Sequence, residues 1–323
     1  MVTTIIRRLI IMIPQLFVIA AICFLLGWLM PGDFISSEFF GTEMTFEQME
    51  QMREAMGLNN PWYQQFWDWI TGIVLRGDFG MSAVHHRPVT AIIAERMVRT
   101  FWLALGQIIV SFGIAIPLGI IAGRYYRKAA DNAILIYGFI GMALPALVWS
   151  ILLIFFFAIR VSWFPFRGSI DATVIGTGMF NELGSYLHHL VLPVIAGSIM
   201  TGIVNIYILR SQIVEGRGSD YALTAKSKGV PEKVVFNKHI LRNSLIPLAQ
   251  SIGFIVLTLI GGSVFIERIF NYPGMGDLFL SSIQRQDFAV ANALILIFSA
   301  ASVFAVLIGD IALTLVDPRI RVK

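Results

Sequence analysis

The sequence predicts an all-α integral membrane protein with six transmembrane helices, and two observations carry this prediction. The chain of 323 residues is 57% hydrophobic and only 14% charged, and its mean hydropathy is +0.76. Soluble globular domains hold about 45–50% apolar and about 25% charged residues, so a soluble domain and a disordered chain are both excluded. Six windows of at least 22 residues contain no Asp, Glu, Lys or Arg: 9–30, 100–123, 132–159, 183–209, 243–266 and 288–309.

Each of these windows is long enough to span a bilayer. About 20 apolar residues in a helix cross a hydrocarbon core of about 30 Å, and the segment must be helical because lipid offers no partner to backbone N–H and C=O groups. The first window follows Arg7 and Arg8, as the apolar part of a signal peptide would. It is longer than the usual signal core of about 7–15 residues, and no small-x-small cleavage site precedes Pro31. We therefore predict a retained first span.

The distribution of Lys and Arg predicts the orientation in the membrane. With the N-terminus inside, 15 Lys and Arg fall in the 56 residues of the inner segments 1–8, 124–131, 210–242 and 317–323. The outer segments 31–99, 160–182 and 267–287 hold 9 in 113 residues. Because cytoplasmic loops carry the excess of basic residues, both termini are predicted to be cytoplasmic. The net charge of +4 then divides into a basic inner face and an acidic outer face.

The long outer segment 31–99 carries nine Asp and Glu against five Arg. Within it Trp62, Phe66, Trp69 and Ile73 recur at helical spacing, which predicts an amphipathic helix. This helix either lies on the external interface of the membrane or forms a small extracellular cap without lipid contact. The spacing leaves both alternatives open.

The inner segment 210–242 is too long for a simple turn and predicts two short helices. Ser219 is the predicted N-cap of the first helix, with Asp220 in its first turn, and Gly229 ends it as the residue after the C-cap. Pro231 is predicted to open the second helix, which leads into the fifth span.

Small residues form a stripe on the first of these two helices. Ala222, Ala225 and Gly229 lie near one line, whereas Thr224 and Lys226 point elsewhere. Because small side chains let another backbone approach closely, the stripe predicts a helix that fits a groove. The alternative is a basic helix that lies on anionic lipid with its lysines snorkelling to the head groups.

The sequence contains no glycine-rich phosphate-binding loop and no motif of a zinc protease, a serine hydrolase or a Cys-x-x-Cys protein. Its one cysteine, Cys23, lies in the first window, which excludes a disulfide framework and a cysteine-based metal site. Asp310, near the inner end of the sixth window, is interpreted as structural, with a proton or ion site as the alternative. The five histidines are interpreted as solvated loop residues rather than metal ligands: His85, His86, His188, His189 and His239.

The segment DYALTAKSKGVPEKVVFNKHILRNSLIPL (220–248) resembles the EAA loop of the membrane subunits of prokaryotic ABC importers, in the form used by the dipeptide, oligopeptide and nickel branch. The resemblance is specific to the B-type permease subunit. At the three positions of the EAA triplet the chain has Leu223, Thr224 and Ala225, so the acidic residue is missing, whereas Gly229 matches the glycine of the motif. Further matching segments follow in order along nearly the whole chain: RRLIIMIPQL (7–16), MPGD (30–33), MGLNNPWYQQFWDWITGIVLRGDFGMS (56–82), IPLGIIAGRYYRKAAD (116–131), GMALPALVWSILLIFFF (141–157), VSWFPFRGS (161–169), FIERIFNYPGMGDLFLSSIQRQDFAV (265–290) and LVDPRIR (315–321).

The resemblance implies a type I ABC importer permease fold with four parts. These are an N-terminal segment with the first span (1–30), an extracellular segment (31–95), an ABC transmembrane type-1 core (96–316) and a cytoplasmic tail (317–323). It further implies a non-catalytic translocation subunit of an ATP-driven importer of dipeptides or oligopeptides, in a prokaryotic plasma (inner) membrane. A nickel chelate or another small solute is the alternative cargo, and a stand-alone secondary carrier that uses Asp310 is the alternative mechanism.

The expected partners are a second homologous permease subunit, two ABC ATPase subunits, an extracellular or periplasmic solute-binding protein and membrane lipid, but no nucleic acid. The chain itself is expected to bind no cofactor and no metal, and ATP and magnesium are used by the ATPase subunits. ATP binding is expected to draw the coupling helices of the two permease subunits together, and rigid-body rocking of the spans then opens the pathway outward.

The resemblance assigns the coupling role to the first helix of the 210–242 segment. A bulky residue at Ala225 or Gly229 is then expected to leave the spans folded and to block ATPase docking. The coupling residues are Ser219, Asp220, Tyr221, Ala222, Thr224, Ala225, Lys226 and Gly229.

The outer loop Glu267–Asp287 is predicted to be a re-entrant gate that faces the binding protein, with a plain structural turn as the alternative. The gate residues are Glu267, Pro273, Gly274 and Gly276.

Overall fold

The computed structural model describes residues 2–29, 45–55, 57 and 59–316, and these residues are mainly helical, with one isolated β-bridge between Met81 and Pro88. The helices in chain order are α1 Val2–Leu29, α2 Phe46–Ala55, α3 Trp62–Arg76, α4 Val89–Arg124, α5 Ala129–Ala143, α6 Ala146–Leu153, α7 Met179–Arg217, α8 Asp220–Ser227, α9 Glu232–Val234, α10 Leu241–Ser244, α11 Ile246–Gln250, α12 Ile252–Gly261, α13 Val264–Ile269, α14 Met275–Gln284 and α15 Phe288–Val316. Two π-helical segments, Ile154–Arg160 and Val235–Ile240, continue α6 and α9. The predicted tail at 317–323, the last residue of the predicted N-terminal segment (30) and the first part of the predicted extracellular segment (31–44) lie outside the described residues.

The described chain contains five helical stretches that are long and apolar enough to cross a membrane, and a sixth if one bent pair counts as a single span. The bent pair is α5 together with α6 and its π-helical continuation. The five stretches are Ile10–Leu29, Val89–Arg124, Met179–Arg217, Glu232–Ile269 and Phe288–Gly309. They overlap the charge-free windows, so the predicted all-α membrane fold is confirmed. The cytoplasmic placement of both termini stays a prediction.

The third predicted span is broken. Its two halves meet at an angle of 94°, because Pro145 disfavours the helical conformation of the residue before it. Leu144 is accordingly extended, with φ −114° and ψ 136°. The indole Nε1 of Trp149 donates a hydrogen bond of 2.9 Å to the carbonyl oxygen of Gly141 and so satisfies one acceptor at the end of α5.

The fifth predicted span is a series of short helices rather than one continuous helix. Pro247 lies in the first turn of α11, where a backbone N–H would have no acceptor within the helix and its absence is tolerated. Gly262 separates α12 from α13 with φ +65° and ψ −161°, a conformation that requires glycine. The sequence indicated an apolar run at this place but not its segmentation.

The described residues form two compact units. The first combines the residues up to Thr100 with Pro273–Val303, and the second combines Phe101–Tyr272 with the residues from Phe304 onward.

In the first unit, α3 packs on α1. Phe66 is buried, and its ring meets those of Phe17 and Phe24 edge to face at centroid distances of 5.6 Å each. The predicted helix is therefore confirmed, and part of its apolar face is covered by α1. Tyr63 and Trp67 on the adjoining side are exposed, and the choice between membrane interface and extracellular cap stays open.

In the second unit, α4 and α7 approach closely along a seam of glycines. A Cβ at Gly119 would lie 2.9 Å from Leu209 Cβ, and one at Gly123 would lie 2.6 Å from Ile213 Cβ. Because real Cβ atoms do not approach this closely, both contacts require glycine. Small residues at such interfaces allow transmembrane helices to pack backbone against side chain.

Candidate functional site

The candidate site is α8, the short helix that follows α7. Ser219 occupies the N-cap position in the extended conformation, with φ −74° and ψ 151°, as predicted. Its hydroxyl makes no capping bond and instead donates a hydrogen bond of 2.6 Å to the carbonyl oxygen of Gly216. Asp220 in the first turn and Lys226 in the last turn oppose the charges of the helix dipole.

The C-terminal end of α8 is a Schellman motif. The N–H of Val230 donates to the carbonyl of Ala225 at 3.2 Å, and the N–H of Gly229 donates to the carbonyl of Lys226 at 2.9 Å. Gly229 has φ +75°, as its predicted terminating role requires. Pro231 lies one position earlier than predicted, at the N-cap of α9 rather than in its first turn.

The two faces of α8 differ sharply in burial. Ala222 is fully buried and Ala225 is 8% exposed. On the other side, Leu223 is 49% and Tyr221 38% exposed, and the exposed surface of the helix further includes Asp220, Thr224, Lys226 and Ser227.

The buried face of α8 contacts the protein's own core. Ala222 and Ala225 belong to a hydrophobic cluster that also contains Leu209, Ile213, Val235, Phe236, Ile240 and Leu248. The alanines of the stripe therefore pack on apolar side chains of this chain and not on a partner. We correct the predicted contact surface accordingly: a partner reaches only the exposed side of α8.

This geometry also changes the expectation for bulky substitutions. A tryptophan at Ala225 would have to enter the core beneath α8, so it would not leave the local fold intact. At Gly229 a Cβ would meet no atom within 4 Å, yet the φ of +75° strains any other residue there. Neither substitution tests docking alone.

Sequence reasoning missed an ion pair between α5 and α7. The carboxylate of Asp131, 1% exposed, accepts two hydrogen bonds from the guanidinium of Arg210. The two residues directly flank charge-free windows, Asp131 before 132–159 and Arg210 after 183–209. A signal for this pair was present in the sequence. Asp131 and Arg210 have opposite charges and lie at the ends of two windows on the same predicted side of the membrane.

The predicted gate residues lie in two different units. Glu267 belongs to the second unit, in α13, and is fully buried. Pro273, Gly274 and Gly276 lead into and begin α14 in the first unit, and Gly274 and Gly276 are buried. The gating role of these residues stays a prediction.

Two further groups of predicted residues have mixed outcomes. His189 is 9% exposed, and its Nδ1 lies 2.8 Å from the carbonyl oxygen of Ser185, so its interpretation as a solvated loop residue was wrong. His85 and His86 are exposed as expected. Asp310 lies in α15, and its side chain is outside the described part of the structure.

The loop between α6 and α7 carries one carboxylate with a shifted pKa. The backbone N–H and the hydroxyl of Thr173 donate to Asp171 Oδ1 at 2.9 and 2.8 Å. These hydrogen bonds lower the pKa of Asp171 below its ordinary value. The two hydrogen bonds fix the carboxylate against its own loop.

Comparison with known proteins supplies the family. Residues 115–322 match the family described as "Binding-protein-dependent transport system inner membrane component", and residues 1–104 match its N-terminal companion, "Binding-prot-dependent transport system membrane comp, N-term". The chain is 33% identical over 325 residues to the "Glutathione transport system permease protein GsiC" of Shigella boydii serotype 4, with full coverage of both chains. The protein of the same name from Escherichia coli K12 matches with the same identity and coverage.

These matches agree with the resemblance found in the sequence and with the all-helical, multi-pass architecture. They cover the region of α8 and the broken third span alike. The relatives are permeases, the non-catalytic membrane components of ABC transporters, so no enzymatic activity is assigned to this chain. The chain belongs to the family of binding-protein-dependent transport system inner membrane components and is a permease subunit of an ABC importer of the peptide and nickel branch, with the type I permease fold.

Proposed function

We propose that this chain is a translocation-pathway subunit of an importer that moves short peptides, driven by ATP hydrolysis in separate subunits. A second homologous permease completes the pathway, two ABC ATPase subunits bind beneath and use ATP with magnesium, and a solute-binding protein delivers the cargo from outside. The chain itself holds no nucleotide, cofactor or metal. Both termini and α8 lie on the cytoplasmic side.

The presentation of α8 supports the docking of an ATPase. Its buried alanines fix it on the core of the second unit, while Tyr221 and Leu223 are 38% and 49% exposed. A short helix that is rigidly held and keeps two large side chains exposed can transmit a displacement, because the force on it reaches the core directly. This contrast between the two faces of α8 is the observation that carries the proposal.

The charges around α8 support its cytoplasmic placement. The 210–242 segment holds seven of the 24 Lys and Arg of the chain, and Lys226 and Lys228 are exposed. Basic residues accumulate in cytoplasmic loops. On this side of the membrane the exposed face of α8 meets soluble ATPase subunits as well as anionic lipid head groups.

The relatives support a peptide cargo. The matched proteins are named as glutathione transport permeases, and glutathione is a tripeptide. A nickel chelate or another small solute is the second candidate, because the branch resemblance covers those cargos as well. Membership of the ABC importer family removes the basis for a stand-alone carrier that works through Asp310.

The docking role can be tested with Leu223→Asp in the complex of this chain with its neighbouring permease and ATPase subunits. A charge in an apolar contact is expected to lower ATPase binding at least about tenfold, which corresponds to about 1.4 kcal/mol. The measurement is the amount of ATPase that is retained when the permease is affinity-purified, together with the thermal unfolding midpoint of the permease.

Ile175→Asp is the matched control. Ile175 is 61% exposed in the loop between α6 and α7, so this variant makes the same chemical change on the predicted opposite side of the membrane. The control should retain ATPase at the wild-type level. Equal retention by Leu223→Asp and the wild type would contradict the proposed docking surface.

A further inference from the structure

An ion pair with a buried carboxylate joins two helices that are far apart in the sequence. Arg210 Nε lies 2.5 Å from Asp131 Oδ1, and Arg210 Nη2 lies 2.8 Å from Asp131 Oδ2. Asp131 is in the first turn of α5, and Arg210 is in the last third of α7. Such a two-bond arrangement fixes direction as well as distance, because the planar guanidinium must align with the carboxylate.

The same carboxylate also holds the turn between α4 and α5. The backbone N–H of Arg127 donates to Asp131 Oδ2 at 2.8 Å, and Arg127 has a positive φ of 61°. The guanidinium of Arg210 lies over the ring of Tyr126, with 5.3 Å from Cζ to the ring centroid. The pair therefore fixes the path of the turn as well as the start of α5.

A second set of contacts continues from this turn towards α8. Arg217 Nη1 donates to the carbonyl oxygens of Gly123 and Arg124, at 3.3 and 3.1 Å, at the end of α4. The guanidinium of Arg124 lies over the ring of Phe236 at 5.3 Å. Phe236 belongs to the cluster that buries the inner face of α8. The ends of α4, α5 and α7 and the core beneath α8 are thus linked by consecutive contacts.

Stability alone is a weak reason for this arrangement. The desolvation of a buried ion pair often cancels its attraction, and apolar residues of the same volume can replace such a pair without loss. The other contacts between α5 and α7 include side-chain packing and a single hydrogen bond of 3.0 Å from the Tyr207 hydroxyl to the carbonyl oxygen of Leu135, and a single bond can pivot. A pair with two aligned hydrogen bonds cannot slide without breaking both.

We propose that Asp131 and Arg210 are positioning residues that make the α4–α5 turn move as one body with α8 during the transport cycle. The inference rests on the proposed function, because it takes α8 as the element that the ATPases displace. With the pair intact, a displacement of α8 carries the ends of α4 and α5 with it. Without the pair, the contacts of Arg217 still hold the end of α4, but the start of α5 lags behind α8.

The test measures a distance between two spin labels in the assembled complex. Ala130→Cys in α5 and Lys233→Cys in α9 are both exposed positions outside the proposed docking face, and Cys23→Ser removes the one native cysteine. The distance is recorded without nucleotide and after trapping with ATP and vanadate. In the otherwise wild-type chain we expect the same mean distance in both states.

Asp131→Asn removes the charge while keeping the shape, and it is expected to shift and broaden the distance distribution on trapping. Arg210→Lys keeps the charge but loses the two-bond alignment, and it is expected to give a smaller shift. Asp171→Asn removes a carboxylate of the loop between α6 and α7 that accepts its hydrogen bonds from Thr173, and it should behave as the wild type. A merely structural pair would lower the thermal midpoint in both variants and leave the distance unchanged between states.

Three results would overturn the inference. The first is a label distance that changes on trapping in the wild-type background. The second is an unchanged distance in Asp131→Asn. The third is a change in Asp171→Asn as large as that in Asp131→Asn. Failure of the ATPases to co-purify with the wild-type chain would instead overturn the proposed function, and the inference with it. The two failures are therefore distinguishable before any label is introduced.

Discussion

Two segments that connect predicted membrane-spanning stretches each carry one short helix, and the two short helices differ in how they are held. The first segment, 218–231, carries α8, which buries two alanines and exposes Tyr221 and Leu223. The second, 273–287, carries α14, in which Met275 and Leu278 are buried in the core of the first unit. At the end of that segment, Asp287 is buried as well.

The difference lies in how each helix is fixed. In 273–287 the anchoring uses polar groups: the N–H of Met275 donates to Thr100 Oγ1 at 2.7 Å, and Ser82 Oγ donates to Asp287 Oδ2 at 2.5 Å. In 218–231 the anchoring is apolar on one face and absent from the other. The start of α14 is held by buried polar and apolar contacts, although Ile283 near its end is 38% exposed, whereas α8 is held by apolar contacts on one face only.

The largest effect is expected from Ala222→Trp, which would break the anchored face of α8. The side chain is fully buried, and overpacking of a core costs about 1–3 kcal/mol and in severe cases more. We expect α8 to lose its packing on the hydrophobic cluster beneath it, and the thermal unfolding midpoint of the purified permease to fall clearly. Thr224→Trp on the exposed face is the control, and an equal fall there would show that the two faces are not distinct.

A smaller effect is expected from Thr100→Val in α4, which removes a contact that anchors the 273–287 segment. The change removes the acceptor of the buried Met275 N–H, and an unsatisfied buried donor costs about 1–3 kcal/mol. Thr100→Ser keeps the hydroxyl and should retain most of the stability. The check is the thermal midpoint of the three proteins side by side; a midpoint for Thr100→Val equal to that of Thr100→Ser would exclude this anchoring role.

The smallest effect is expected from Ser219→Ala. Removal of a capping serine typically costs about 1 kcal/mol, but this hydroxyl caps nothing and donates to Gly216, whose carbonyl also accepts the N–H of Ser219 at 3.4 Å. The loss should therefore be less than that typical value. Ser82→Ala, which removes a bond to buried Asp287 and the acceptor of the His85 N–H, should cost more, and the reverse order would refute the contrast.

Much of the fold could be predicted because its main signal is composition. The length of a charge-free window decides whether it can cross the membrane, and a segment in lipid must be helical. The apolar spans could therefore be found from the sequence alone. The break at Leu144 and Pro145 was not predicted, although proline gave a local reason for it. Proline within a long apolar run is also compatible with a mild kink, as for Pro14 inside the continuous helix α1.

The bounds of α8 could be predicted from the sequence, but its buried face could not. Ser219 and Gly229 bounded α8 correctly because caps and positive φ are local properties. Which face of α8 is buried depends on α7 and on the π-helical segment after α9, which the local sequence does not reveal. The pairing of Asp131 with Arg210 was missed for the same reason, since 79 residues separate them.

The break in the third span is expected to make the unassembled subunit less stable. A helix that ends inside lipid leaves backbone carbonyls without helical partners, and each unsatisfied group in hydrocarbon costs several kcal/mol. The indole of Trp149 satisfies the carbonyl of Gly141 in the last turn of α5, and we expect water or a partner subunit to satisfy the other carbonyls of that turn. A copy of this permease made without its partners is therefore expected to be recognised as an orphan and degraded, which would keep its abundance in step with that of the complex.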